Sequence, residues 1–312
     1  MPKAINAMAR AFSSLSSGES YVPLRFISKL PVNEMAIIFK PAFVEKDNRV
    51  TIKFLTQRES GLIPGIPTIQ GIILVIDSLT GEILSIMDGE YITALRTGAA
   101  SGLATRCFAR KDARILALFG CGTQGRTQLE AVVCERDIKK ILVFDTSEEM
   151  AIQFISEMEK RFNLEMVYTS DTKQVKEADI ICTATNSRIP LFGRENVKQG
   201  VHINAIGSFQ PQMQELDPLI IRDARVFLDS AESCLKESGD LIKPILDGII
   251  GENHIAGEIG DFLLSRIPGR DSEGQITIFK SVGVAIQDYE VASDIYNYSL
   301  EQGFGQGIKL FE

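Results

Sequence analysis

One glycine-rich turn constrains the fold of this chain more than any other segment. Residues 115–125 pass from an apolar run into the pattern G-x-G-x-x-G, with Gly120, Gly122 and Gly125 at the glycine positions. The next apolar run, 141–144, ends at Asp145, which lies 20 positions after Gly125. Such spacing is typical of a strand, a phosphate-binding turn and a helix, followed by a strand whose terminal acid accepts a hydrogen bond from a ribose hydroxyl. It therefore predicts a dinucleotide-binding unit.

Strand and helix patterns alternate beyond this turn. The predicted segments are 115–119, 123–135, 140–144, 148–161, 165–168, 172–177, 179–183, 201–206 and 225–229, then a strand within 275–283 and a helix over 284–300. Alternation of this kind requires right-handed crossovers between parallel strands, with helices on both faces of the sheet. The expected fold class is α/β, with a Rossmann-type parallel sheet.

The first hundred residues show a different pattern of predicted helices and strands. The patterns predict a helix over 5–15, a strand over 50–55, a hairpin of 71–76 with 83–86, and an Ala-rich helix over 98–109 with Thr97 as its N-cap. A chain of 312 residues is usually divided between two cores. We expect a smaller, mostly antiparallel α+β domain over 1–112, joined by the C-terminal helix 284–312, and a Rossmann domain over 113–283.

The amino-acid composition limits the kinds of molecule that this protein is expected to bind. The net charge of −8 disfavours nucleic acid and anionic membrane surfaces, so a small ligand is expected. Five cysteines without a C-x-x-C pair and only two histidines favour a reducing compartment and no metal site. The sequence shows neither a signal peptide nor an apolar run of about 18 residues, which predicts a cytoplasmic protein.

The acid after the second strand also bears on the choice of cofactor. A carboxylate at Asp145 would repel the 2′-phosphate of NADP, and residues 146–149 contain no lysine or arginine. NAD is therefore the expected cofactor and NADP the less favoured one. The alternative is a glycine turn that packs tightly and binds nothing.

Six short segments, taken in order, carry a family resemblance. They are Arg-Thr-Gly-Ala-Ala-Ser at 96–101, the glycine turn at 120–125, Asn-Ala-Ile-Gly-Ser at 204–208, Phe-Leu-Asp-Ser at 227–230, Gly-Asp-Leu at 239–241 and Phe-Lys-Ser-Val-Gly at 279–283. Together they resemble the ornithine cyclodeaminase/mu-crystallin family, over nearly the whole chain. The resemblance implies a homodimer formed through the first domain, which also covers the substrate, and hydride transfer at a carbon bonded to nitrogen.

The resemblance also implies which residues meet the substrate. Arg25, Lys53 and Arg96 match the positions that bind the substrate carboxylate, and Asp229 matches the general acid and base beside the reacting nitrogen. Lys53 is unusual on its own account, since a lysine among apolar strand residues needs a partner or a ligand. The competing interpretations are a surface lysine, ordinary surface or capping arginines and, for Asp229, the N-cap of a helix.

Further matches concern the cofactor. The expected contacts are Thr97, Thr123 and Gln124 with the three glycines and Asp145, then Asn204, Ser281 and Gly283. Simple cap, turn or loop roles are the alternatives for Thr97, Asn204 and the 281–283 turn. His202 matches no motif and is expected to be a satisfied core or edge histidine.

One departure from the family pattern bears on the substrate. In ornithine cyclodeaminases the strand before the lysine carries a glutamate ahead of a Met-Pro pair, and this glutamate receives the distal ammonium. Here Ile38 replaces the glutamate and Lys40 the methionine; neither favours a second ammonium. We therefore expect an NAD-dependent reductase of a small cyclic imino acid of the pyrroline-2-carboxylate type, or an enzyme that interconverts alanine and pyruvate. Ornithine cyclodeamination with recycled NAD and a non-catalytic NAD(P)-binding protein are the alternatives.

Overall fold

The structure, a computed structural model, describes residues 1–30, 35–58 and 69–309. Its strands are β1 (Ser20–Tyr21), β2 (Phe26–Lys29), β3 (Met35–Val44), β4 (Arg49–Arg58), β5 (Ile69–Asp77), β6 (Ile83–Asp88), β7 (Ile115–Phe119), β8 (Lys140–Phe144), β9 (Glu165–Tyr168), β10 (Ile180–Thr183), β11 (His202–Ala205), β12 (Arg225–Leu228), β13 (Ile255–Glu258) and β14 (Thr277–Lys280). Its α-helices are α1 (Pro2–Ser17), α2 (Gly89–Phe108), α3 (Thr123–Glu135), α4 (Glu148–Glu159), α5 (Pro218–Asp223), α6 (Ala231–Glu237), α7 (Gly239–Leu246), α8 (Ile259–Leu263) and α9 (Ala285–Gln302).

The chain divides into two compact units. The larger comprises Met1–Ser17 with Ala94–Val284, and the smaller comprises Gly18–Thr93 with Ala285–Glu312. These bounds differ from the predicted ones, because residues 1–17 and 94–112 belong to the unit of the parallel sheet. The apolar side of α1 explains its placement: Phe12 is buried and its ring meets that of Phe279 on β14, with ring centroids 6.3 Å apart.

The larger unit is built on an eight-stranded parallel sheet in the order β13-β12-β14-β11-β10-β7-β8-β9. Successive residues of β8 enter different cores: Ile141 and Val143 join one apolar cluster, and Leu142 and Phe144 join another. A strand buried on both faces needs a continuous apolar sequence. The predicted Rossmann-type α/β class is confirmed.

The smaller unit contains a six-stranded antiparallel sheet, in which β1, β3, β4, β5 and β6 pair in that order and β2 also pairs with β3. Alternate residues of β3 and β4 are buried, including the cross-strand pair Lys40 and Lys53. Helix α9 packs against β3, β4 and β5. The predicted hairpin of β5 and β6 is present.

Helix α2 corrects one prediction. It begins at Gly89, where the Asp88 carboxylate accepts hydrogen bonds from the backbone N–H groups of Glu90 and Tyr91, so Thr97 lies inside the helix and is not its N-cap. Gly98, which also lies inside the helix, has a packing role. A Cβ there would lie 2.5 Å from the carbonyl oxygen of Thr127, so only glycine lets α2 approach α3 this closely.

Within the described part of the chain, no helix combines the length and apolar character that a membrane crossing requires.

Candidate active site

The carboxyl edge of the parallel sheet gathers most of the predicted site residues of the larger unit. Neighbouring strands β12, β14, β11, β10, β7 and β8 end at this edge. The residues that follow them are Asp229, Ser281, Ile206, Ala184, Gly120 and Asp145, respectively. In open parallel sheets ligands bind outside this edge, where crossovers leave in opposite directions. Here that point lies between β7 and β10.

The glycine turn has the geometry of a phosphate site. Gly120 has φ +98°, and a Cβ at this position would lie 2.5 Å from the carbonyl oxygen of Ala184. A Cβ at Gly125 would collide with the Gly120 carbonyl oxygen, whereas nothing lies within 4 Å of one at Gly122. The turn is therefore closed on its protein side and open at its second glycine.

The first turn of α3 adds to this fit. Gly122 is its N-cap and no side-chain cap hydrogen bond is formed, so the helix N-terminus presents backbone N–H groups and a partial positive charge. The Gln124 side-chain oxygen is buried and has no hydrogen-bond partner among the described residues. These residues fit a dinucleotide pyrophosphate, whose negative charge the N–H groups would neutralise.

Asp145 lies against the same turn. Its carboxylate accepts a hydrogen bond from the backbone N–H of Cys121 at 2.8 Å and from that of Ser147 at 3.0 Å. Burial, and secondarily the Asp145 charge, raise the pKa of the Cys121 thiol to about 12. The cysteine in the turn is therefore protonated at neutral pH and is no thiolate nucleophile.

Asp229 lies at the centre of a cluster of hydrogen-bond donors. Its side chain is 1% exposed. Five donors contact it: Ser230 N–H (2.8 Å) and Cys234 Sγ (3.0 Å) at Oδ1, and Ser281 Oγ (2.7 Å), Val282 N–H (3.1 Å) and Gly283 N–H (2.8 Å) at Oδ2. The N-cap of α6 is Ser230 rather than Asp229, so the capping interpretation of Asp229 is wrong. The carboxylate instead ties the end of β12 to the 281–283 turn.

This turn also meets one of the predicted carboxylate ligands. Gly283 has φ +80°, and a Cβ there would lie 2.5 Å from Nη1 of Arg96. The Arg96 side chain is buried on α2. Arg96, Gly283, Ser281 and Asp229 thus form one connected group in the larger unit.

In the smaller unit, Lys53 is a buried cation with a specific partner. Its Nζ lies 2.8 Å and 2.7 Å from the two carboxylate oxygens of Asp288 on α9, and 3.1 Å from Oγ1 of Thr93 on α2. Lys53 and Asp288 are both 1% exposed, so the interpretation of Lys53 as an edge lysine in solvent is wrong. Burying two such charges is costly unless each compensates the other.

Lys40 and Ile38 lie on the same buried face of β3. Lys40 is directly opposite Lys53 and Ile38 opposite Leu55 in the antiparallel pair of β3 and β4. Arg25 belongs to the same unit, immediately before β2, and is half-buried. The structure thus assigns Arg25 and Lys53 to the smaller unit, and Arg96 and Asp229 to the larger.

The side chain of Asn204 is hydrogen-bonded within the core. Its amide nitrogen donates to Oγ1 of Thr105 at 3.0 Å, and its oxygen lies 3.2 Å from Nε2 of His202. The prediction of a satisfied core histidine is confirmed: His202 Nδ1 also lies 3.0 Å from Oγ1 of Thr277, and burial lowers the pKa of His202 to about 3. A cofactor contact by Asn204 stays a prediction.

Sequence reasoning missed Asp288, although a signal was present. In the predicted helix over 284–300, Val284, Asp288, Val291 and Ile295 recur at helical spacing, so the acid falls on the apolar stripe. A carboxylate on a buried stripe requires a cation. That cation is Lys53, the lysine in an apolar strand.

Comparison with known proteins shows the family of this chain and proteins that are similar to it. The family model "Ornithine cyclodeaminase/mu-crystallin family" matches residues 1–303. The chain belongs to this family. A Δ1-pyrroline-2-carboxylate reductase of Bacillus cereus is 36% identical over 311 residues, which cover 99% of this chain and 95% of the relative.

Two solved structures of relatives are similar over nearly their whole length. That of Thermococcus litoralis Δ1-pyrroline-2-carboxylate reductase in complex with NADH and L-proline has a TM-score of 0.95 and 37% identity, covering 99% of this chain and 96% of that one. An archaeal alanine dehydrogenase dimer with bound NAD has a TM-score of 0.93 and 32% identity, covering 100% and 95%. The family predicted from the six ordered motifs is therefore confirmed.

Proposed function

We propose that this protein is an NAD-dependent oxidoreductase that reduces Δ1-pyrroline-2-carboxylate, a cyclic imino acid, to proline. The observation that carries the substrate class is the buried face of β3 and β4. There Lys53 supplies a cation for a carboxylate, Ile38 and Lys40 offer no acid for a second ammonium, and the nearby acid Asp288 is already paired with Lys53. A small imino acid with one carboxylate and no distal amine suits this set of side chains.

The cofactor half of the proposal rests on the glycine turn. The open Gly122, the uncapped start of α3 and the carboxylate of Asp145 fit the pyrophosphate and the adenosine ribose of NAD. When bound, NADH supplies the hydride that is added to the imine carbon. Relatives solved with NADH or NAD share the fold at TM-scores of 0.95 and 0.93.

The protein residues have two tasks in this reaction. Lys53, with Arg25 and Arg96, binds the substrate carboxylate and so fixes the position of the imine carbon. Asp229 is the proposed proton carrier: the imine nitrogen must gain one proton for each hydride added. Since its carboxylate accepts five hydrogen bonds, it must release a donor before it can take up a proton. The Oγ–H of Ser281 and the Sγ–H of Cys234 are the donors that can rotate away.

We also propose that two copies of the chain associate through the outer face of the antiparallel sheet. A row of apolar residues crosses four strands on the face opposite Lys53, namely Phe26, Phe39, Phe54 and Ile72. Phe26 is 62% exposed and Ile72 40% exposed, which is unusual for a surface that faces only water.

We expect the protein to have about twice the 34.4 kDa chain mass by light scattering. A Phe39→Glu substitution should halve that mass, because it places a charge in the apolar row. Leu246→Glu, at an 80% exposed position of the other unit, is the matched control and should leave the mass unchanged. A wild-type protein of single-chain mass would contradict this proposal.

The reaction itself is tested by following NADH absorbance with Δ1-pyrroline-2-carboxylate. We expect stoichiometric oxidation of NADH and formation of proline, and a much lower rate with NADPH because Asp145 repels a 2′-phosphate. Pyruvate with ammonia is run in parallel, since one of the similar structures is an alanine dehydrogenase. A preference for pyruvate would revise the substrate but retain the hydride chemistry.

Two further assays separate the other candidates. A cyclodeaminase would release ammonia from ornithine without net change in NADH, and we expect no such release. A non-catalytic binding protein would be stabilised by NADH yet turn over none of these substrates. If NAD(H) and NADP(H) both fail to raise the melting temperature, the cofactor proposal is wrong, since a ligand at a hundred times its Kd stabilises by about 2.7 kcal/mol.

A further inference from the structure

A second cluster of buried charges lies at the carboxyl edge of the parallel sheet, next to Asp229, whose backbone N–H donates to the Lys280 carbonyl at 3.1 Å. It consists of Glu215, Asp240 and Lys280, which are all at most 1% exposed. Lys280 Nζ lies 3.2 Å from Oδ2 of Asp240, and Oδ1 of Asp240 accepts the backbone N–H of Glu215 at 2.7 Å. No step of the proposed reaction uses these groups, so their burial needs another reason.

The Glu215 carboxylate joins the ends of two neighbouring strands. Its Oε1 accepts hydrogen bonds from the backbone N–H (2.7 Å) and Oγ1 (2.8 Å) of Thr185, just after β10. Its Oε2 accepts them from Oγ1 of Thr183 (2.7 Å), at the end of β10, and from the backbone N–H of Gly207 (2.8 Å), just after β11. Each oxygen therefore holds one backbone N–H and one hydroxyl.

These strand ends lie beside the glycine turn. Ala184 donates its N–H to the carbonyl of Phe119 at 2.9 Å, and its own carbonyl is the atom that a Cβ at Gly120 would approach. Asp145, which fits the adenosine ribose, is on the opposite side of that turn. A dinucleotide with its pyrophosphate at the turn would then direct its nicotinamide half over β10 and β11.

We propose that Glu215 is a positioning residue that fixes the ends of β10 and β11 beneath the nicotinamide half of the cofactor. This rests on the proposed use of NAD(H). Preorganised loops bind a ligand more tightly than mobile ones, because the entropy of ordering them has already been lost in folding. Burial and the nearby Asp240 charge raise the pKa of Glu215, while Lys280 and the hydrogen-bond donors oppose that rise.

Glu215→Gln is the sharpest test of this role. Each carboxylate oxygen accepts a hydrogen bond from a backbone N–H, of Thr185 at Oε1 and of Gly207 at Oε2. In the glutamine variant one of these oxygens becomes an NH₂ group, which cannot accept that hydrogen bond. The strand end on that side is then no longer held. We expect the Kd for NADH to rise at least tenfold, while the Kd for ADP, which contains the adenosine and both phosphates but no nicotinamide riboside, changes less than twofold. Exposed Glu232 is the matched position, and its Gln variant should behave as wild type.

A second pair of variants keeps the test decisive if Glu215→Gln folds poorly. Thr185→Val removes one hydroxyl donor and should weaken NADH binding about threefold without affecting ADP. Thr185→Ser retains the hydroxyl and should restore the wild-type Kd. Selective loss of NADH binding in either series supports the proposal.

Three results would overturn it. One is unchanged NADH binding in both Glu215→Gln and Thr185→Val, and another is an equal loss of NADH and ADP binding, which would indicate a general structural role. The third is a wild-type protein that binds neither nucleotide, which would also remove the proposed NAD-dependent function. Because the wild-type measurement comes first, failure of the function and failure of the Glu215 role are told apart.

Discussion

Replacing Lys53 with methionine is expected to lower kcat/KM for Δ1-pyrroline-2-carboxylate by about 10²- to 10³-fold, equivalent to about 3–4 kcal/mol. The methionine fills a similar volume but removes the cation proposed to bind the substrate carboxylate. The Kd for NADH should remain within about twofold, since Lys53 belongs to the antiparallel unit and the glycine turn to the other. Steady-state kinetics and fluorescence titration with NADH measure the two effects.

The same substitution leaves Asp288 buried without its cation. This should destabilise the protein by about 3–5 kcal/mol, measured by denaturant unfolding. The double variant Lys53→Met/Asp288→Asn removes both charges and should recover most of the stability but none of the activity. Lys46→Met, at an exposed position of the same unit, is the control for loss of a lysine.

Recovery of activity in the double variant would mean that Lys53 acts only by neutralising Asp288. Full activity in Lys53→Met would remove it from the site altogether. Either outcome would contradict its proposed contact with the substrate.

Asp229→Asn is expected to lower kcat by about 10²- to 10⁴-fold, the usual contribution of a positioned general acid or base. Two causes act together, because the amide cannot carry the proton and its NH₂ must face a backbone donor. Oδ1 accepts from Ser230 N–H, and Oδ2 from the N–H groups of Val282 and Gly283. The variant therefore also loosens the 281–283 turn beside Arg96.

Ser281→Ala separates the two causes. It removes one donor and leaves the carboxylate, so a proton-carrying Asp229 should keep kcat within about tenfold and shift the pH dependence of kcat. Ser230→Ala is the matched control: it removes the N-cap of α6, costs about 1 kcal/mol of stability and should leave the pH profile unchanged.

Wild-type kcat in Asp229→Asn would exclude Asp229 as the proton carrier. A large loss in Asp229→Asn, together with an unshifted pH profile in Ser281→Ala, would instead assign Asp229 to holding the turn alone.

The local features of the fold could be predicted because each depends on neighbours in sequence. The glycine turn at 120–125 and the strands on both sides of it follow from steric requirements and apolar runs. Lys53 stood out because a charge in an apolar strand requires compensation. The predicted start of helix α2 was wrong, because Thr97, a residue type that often caps helices, lies inside the helix, and the Asp88 carboxylate accepts the hydrogen bonds of the first backbone N–H groups instead.

The partners of the site residues could not be predicted from local sequence patterns, because they lie far away along the chain. Asp288 lies 235 positions from Lys53, and the two meet only because α9 packs on the antiparallel sheet. Thr183 and Gly207 meet at Glu215 only because β10 and β11 are adjacent in the sheet.

By itself the sequence determined the Rossmann-type sheet, the nucleotide-binding turn with Asp145, and the family, because short-range sterics and the order of the motifs encode them. Only the tertiary structure decided that Lys53 is neutralised by Asp288, that Ser230 rather than Asp229 caps α6, and that the Asp229 carboxylate organises the 281–283 turn. The physical reason is that the role of a buried charged side chain depends on the groups that compensate its charge. In this chain those groups come from distant segments, which only the packing of helices and strands brings within hydrogen-bond distance.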